Sequence, residues 1–156
     1  MENLQGKAHF LRNEYIKKLA HLTADTPRLW GNMNAPQMIE HMSDYVRIGS
    51  GKTPHTLLSP EERLTKLQGF LMSEKPFPEN TPNILMPDTP APTKHISIAE
   101  AISELQAELD HFFSVFEKDP NKTITNPFFG DLNYDMSVQL LHKHALHHLR
   151  QFGVKE

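Results

Sequence analysis

The chain has no cysteine, which removes disulfides, thiolate metal sites and a cysteine nucleophile at once. Any thiol chemistry needs an external thiol. No cluster of lysine and arginine combines with an aromatic stripe; at a formal charge of −3 and 8% aromatic residues, the sequence carries no nucleic-acid footprint. No apolar run approaches the length of a membrane span, and the polar, charged N-terminus lacks the apolar centre of a signal peptide. These absences point to a soluble cytoplasmic protein with neither a nucleic-acid nor a membrane partner. Alternating apolar and polar residues are missing too, so no stretch reads as a convincing strand. At 156 residues the expectation is one domain, residues 1–156, with a real core.

What is abundant is histidine. Four of the ten fall within seven residues of Leu140-Leu141-His142-Lys143-His144-Ala145-Leu146-His147-His148-Leu149-Arg150-Gln151-Phe152-Gly153, where Gly153 marks a helix stop. At about 100° per residue, Ala145, His148 and Phe152 lie within about 40° of Leu141, and His144 at about 60°. His142 at about +100° and His147 at about −120° fall outside that stripe, toward solvent or a flank. One His-x-x-x-His pair, His144 and His148, therefore faces inward. Imidazoles one turn apart can reach a single ion, and burying both without a shared ligand demands several other buried partners.

The rest of the chain reads as helices. Ala8, Leu11, Tyr15, Leu19 and Leu22 predict a first helix over about residues 3–22. Asn34 as cap and Pro36 in the first turn open a second, ending near Ser50, with Met38, Met42, Tyr45 and Gly49 inward and His41 at the edge of that face. Ser59 and Glu62 stand in capping-box register before a short helix carrying Leu64, Leu67 and Leu71, and Ser97 and Glu100 do the same before the clearest amphipathic stripe, Ile98 to Phe116. Asp119-Pro120 ends that helix, and Asn133 caps the last. Residues 75–95 hold six prolines and no period; a loop this long lines an entrance or wraps the surface. The predicted fold is all-α, an antiparallel four-helix bundle with an extra short helix and a long Pro-rich loop. His41, His144 and His148 then make three imidazoles, the protein ligand count of catalytic zinc sites.

The segment Trp30-Gly31-x-Met33-Asn34-Ala35-x-Gln37-Met38-x-x-His41, the turn Asn126-Pro127-Phe128-Phe129-Gly130 and the closing Lys143-His144-x-x-His147-His148-Leu149-Arg150-Gln151-Phe152-Gly153 resemble the DinB/YfiT-like superfamily, over nearly the whole chain. The resemblance implies a four-helix bundle holding a divalent metal ion on His41, His144 and His148, and a homodimer. It departs from the family where Asn126 and Tyr134 stand in place of a frequent His and Trp. The implied function is a metal-dependent hydrolase or a thiol-dependent S-transferase, acting on a small-molecule substrate through a coordination position that activates water or an external low-molecular-weight thiol. Zinc or nickel leads the candidate ions, with iron or manganese behind. Glu40, Asp44 and Gln151 are candidate catalytic helpers, Asp44 as the acceptor of a ligand's second ring proton and Gln151 as an orienting group. The alternative is a non-catalytic metal-binding or dimerisation protein with a structural ion.

Overall fold

Helix boundaries follow the polar side chains able to cap them. The computed structural model describes residues 3–79 and 92–155. α1 (Leu4–His9) begins at Asn3, whose side chain accepts from the Gly6 amide, and continues through a π-helical turn, Phe10–Glu14, into α2 (Tyr15–Leu19). The apolar spacing predicts one regular helix here; the π turn escapes it because Leu11, Tyr15 and Leu19 stay buried through the wider turn.

α3 (Ala35–Ser50) carries a full capping box. Asn34 Oδ1 accepts from the Gln37 amide at 2.8 Å, and Gln37 Oε1 accepts from the Asn34 amide at 2.8 Å. Gly51 closes the helix in the left-handed region, with φ 81°. α4 (Leu64–Met72) departs from expectation at its start. Ser59 does not cap it; the Ser59 amide donates to the Pro127 carbonyl, and a 3-10 turn, Glu61–Arg63, precedes the α-helix. α5 (Ile98–Lys118) is capped by Ser97, which accepts from the Glu100 amide, and stops at Asp119.

Before the last helix the chain forms a small hairpin that the sequence pattern does not predict. β1 (Ile124–Asn126) pairs antiparallel with β2 (Gly130–Leu132), Ile124 opposite Leu132. Strands of three residues are too short for alternation to show. The turn is set by Asn126, whose Oδ1 accepts from the amides of Phe128 and Phe129 at 2.8 and 3.1 Å. Phe129 and Leu132 pack with Leu71 in a second apolar cluster, edged by Phe70, Phe77, Phe128 and Leu140.

α6 (Tyr134–Gln151), capped by Asn133, is the central element. α1, the π turn, α3, α4 and β2 all contact it, while α3 and α5 form the most extensive helix pair. Among the described residues the fold is mostly helical with one two-stranded sheet, and no helix is long and apolar enough to cross a membrane. Its central position corrects the expectation for two histidines. His142 and His147 are buried, at 6% and 9% exposure, because Phe10 covers one and Trp30 and Phe77 cover the other. A wheel drawn for a single buried stripe fails on a helix enclosed on several sides.

Residues 80–91 of the Pro-rich segment, expected to line an entrance or wrap the surface, lie outside the described residues. Its described ends are anchored. Phe77 packs against His144 and His147, and the amides of Lys94 and His95 donate to the Glu40 carboxylate at 3.0 and 3.1 Å.

Candidate metal centre

Three imidazoles meet where α3 crosses α6. His41 comes from the middle of α3, His144 and His148 from successive turns of α6. His144 Nε2 lies 3.1 Å from His41 Nε2 and 2.9 Å from His148 Nε2, and the three residues form a group able to hold a metal ion. A tetrahedral zinc ion with bonds of 2.0–2.1 Å would set its ligand nitrogens roughly 3.3 Å apart, so the observed spacings need to open by only a few tenths.

Protons alone do not satisfy this arrangement. Gln151 Nε2 donates to the Trp30 carbonyl at 3.0 Å, which fixes the amide so that Oε1 faces His148 Nδ1 at 2.8 Å. His148 therefore carries its proton on Nδ1, and its Nε2 presents a bare lone pair. His144 Nε2 faces that lone pair and His41 Nε2 together. If it carries a proton, that proton serves one neighbour well and leaves the other short. If it does not, two lone pairs stand 2.9 Å apart. A cation accepting all three lone pairs removes the conflict.

Electrostatics hold the rings neutral, the form a metal requires. Burial is the main cause throughout. It lowers His41 to about 4, with His147 adding to the effect. His144 is pushed well below the ordinary histidine value by burial and then by His148, His41 and His147. His148 is likewise pushed well down by burial and His41, against the Gln151 hydrogen bond that favours its charged form. Tyr45 packs its ring against both His41 and His144, at 4.7 and 4.9 Å between centroids.

The predicted helpers separate. Gln151 joins the site, and a short turn is shaped to hold it. Leu29 donates its amide to the Gln151 carbonyl at 2.7 Å, and Gly31, at φ 79°, leaves room where a Cβ would stand 2.7 Å from Gln151 Nε2. Asp44 is not brought to the rings; its carboxylate is 70% exposed and pairs with Arg47 at 2.9 Å. Glu40 follows the adjacent segment instead, accepting from Lys94 and His95. Sequence reasoning missed the Trp30 carbonyl and the rings of Phe77 and Tyr45 as parts of the site. A positive-φ glycine after Trp30 is the trace the former leaves in the sequence, whereas the latter two read as ordinary apolar residues.

No family model, curated protein or solved structure matches this chain in the comparisons made.

Proposed function

We propose that the protein is a divalent-metal-dependent enzyme of DinB/YfiT-like architecture, its main helices arranged as an antiparallel four-helix bundle around the His41, His144 and His148 site. The convergence of three neutral Nε2 atoms whose contacts no proton arrangement satisfies carries this reading. A divalent ion held there supplies Lewis-acid polarisation and lowers the pKa of a bound water or external thiol, the chemistry of hydrolysis or thiol S-transfer. The protein's part is to orient His148 through Gln151, to keep the rings uncharged by burial, and to wall the site with Tyr45 and Phe77.

The structural-ion alternative is the weaker one. Structural zinc sites are closed by four protein ligands, and among the described residues the metal-capable group contains three. Elemental analysis of the untagged protein is expected to give about one divalent ion per chain, lost in His148→Ala, followed by turnover in a thiol-conjugation or ester-hydrolysis screen with the identified metal. Folded, metal-free wild-type protein that takes up no zinc, nickel, iron or manganese would sink the proposal. The homodimer implied by the resemblance belongs to the same reading, and light scattering at twice the 17.9 kDa chain mass checks it.

A further inference from the structure

Roughly opposite His144 and His148 on α6, at about 100° per residue, is a second face carrying Gln139, Lys143, Leu146 and Arg150. Between this face, α1 and the segment that follows α4 lies an open cleft of about 50 Å³. At roughly 10–15 Å³ for each water it holds, the cleft has room for a few waters or for the head of one small polar group. Lys7, Lys75, Lys143 and Arg150 line it, and among the described residues Glu74 is its one carboxylate.

Two of these cations are withdrawn from solvent, Lys7 at 2% and Lys143 at 6% exposure. Lysine is seldom buried unless it is paired, and here one acid serves both. Glu74 Oε1 accepts from Lys7 Nζ at 2.8 Å, but the Glu74 side chain is itself half exposed. Lys143 directs its protons to the carbonyls of Phe70, Ser73 and Lys75, dipoles that solvate the ammonium group without cancelling its charge. The two lysines also feel each other. Burial lowers Lys143 below the ordinary lysine value, Glu74 opposes that shift and Lys7 adds to it. Positive charge is left in excess where water screens it poorly.

Donors for an anion are in place as well. Lys7 uses two of its three protons, on Glu74 Oε1 and on Gln139 Oε1 at 2.7 Å, which leaves one. Lys75 is exposed, and its ammonium group has no hydrogen-bond or ion-pair partner among the described residues.

We propose that the cleft binds one small oxyanion, a phosphate or carboxylate group, held by Lys7 and Lys75 in the field of Lys143 and Arg150. Four cationic side chains against one carboxylate favour the more highly charged of the two, so phosphate is expected to bind the tighter. The site lies apart from the metal centre and does not depend on it.

The experiment uses the full chain, stripped of metal with a neutral chelator, at pH 7.5 in about 0.15 M sodium chloride so that diffuse attraction is screened. Inorganic phosphate and acetate are titrated separately while the amide resonances are followed by NMR. Saturable shifts at a single site are expected in the residues lining the cleft. Lys75→Gln should weaken phosphate binding by up to about fivefold, the worth of one exposed charge pair, with stability unchanged because its ammonium group holds nothing else. Glu74→Gln removes the competing carboxylate and should tighten phosphate binding by a similar factor, whereas a purely structural Lys7–Glu74 pair predicts lower stability and no change in binding. Phosphate binding tighter than acetate assigns the cleft to phosphate groups and the reverse order to carboxylates, and either supports the site. The proposal is overturned if neither anion saturates the cleft amides, or if folded Lys75→Gln binds phosphate as tightly as the wild type; that variant decides the matter even where Glu74→Gln fails to fold.

Discussion

The two ends of the Gln151 amide are committed to different partners, the nitrogen to the Trp30 carbonyl and the oxygen to His148 Nδ1. That second bond selects the tautomer in which His148 offers Nε2 to the site. Removing it should weaken metal binding without removing a ligand. Gln151→Leu is expected to lower zinc affinity by roughly 10–100-fold, and Gln151→Glu, which keeps an acceptor beside Nδ1 but loses the donor to the Trp30 carbonyl, to recover part of it, as read by competition with a chromophoric chelator. Wild-type affinity in the leucine variant would refute the positioning role. His147 offers the contrasting case. Its ring is buried against Trp30 and Phe77 but lies outside the metal-capable group. His147→Ala should therefore keep its metal and lose about 1–3 kcal/mol of stability through the missing packing, whereas His148→Ala should lose the metal; metal retention in the latter with loss in the former would reverse the assignment. At this scale the i and i+4 spacing of His144 and His148 is local geometry, and the structure brings the two rings together with His41. The sequence misplaces His142 and His147 because their covers, Phe10, Trp30 and Phe77, lie far away in the chain.

Among the elements, those with local chemistry were legible and those defined by distant contacts were not. Asn34, Ser97 and Asn133 cap their helices as expected, since a cap needs only the next three residues. The hairpin and the start of α4 depend on each other: the amides of Leu58 and Ser59 both donate to the Pro127 carbonyl, a bond that no local pattern announces. The end of α4 is likewise closed from afar. Lys143, on α6, sends its ammonium group to the carbonyls of Phe70 and Ser73 at 3.2 and 2.9 Å and to that of Lys75, and lies over the Phe70 ring at 4.4 Å. The cation thus adds to the local cap at Ser73, whose amide and hydroxyl also donate to the Phe70 carbonyl. Lys143→Met keeps the length of the stem but removes the charged donor, while Ser73 still answers the Phe70 carbonyl and Gln139 that of Ser73, and a loss of about 1.5–3 kcal/mol is expected from the missing charged hydrogen bonds. Urea denaturation should show the loss while metal content stays at its wild-type level. An unchanged midpoint would mean that water caps α4 equally well.

For the whole molecule, the same burial that readies the histidines for a metal makes the metal-free fold sensitive to acid. In the unfolded chain these imidazoles return to the ordinary value of 6.5, while in the fold His41 is held at about 4 and His144 and His148 well below 6.5, burial being the first cause in each. Below pH 6.5 the unfolded state then binds protons that the folded state refuses, so acidification favours unfolding. The stability tied to neutral rings is complete above about 6.5 and is withdrawn as pH falls toward 4. His41 alone accounts for on the order of 3 kcal/mol across that window. The carboxylate of Glu104, lowered below 4.5 by its bonds to Lys94 and Arg47 despite an opposing desolvation, adds its loss only at still lower pH. Urea midpoints taken at pH 7.5, 6 and 5 in the presence of a chelator should therefore fall steadily over the histidine window. Excess zinc should raise all three midpoints, since an ion that binds only the folded form adds stability in proportion to the logarithm of its concentration over its dissociation constant. Its benefit should be smallest at pH 5, where protons compete most strongly for the same nitrogens. A chelated protein whose midpoint does not change between pH 7.5 and 5 would show that the three rings are not held neutral against solvent, and with that the electrostatic support for the metal centre would go.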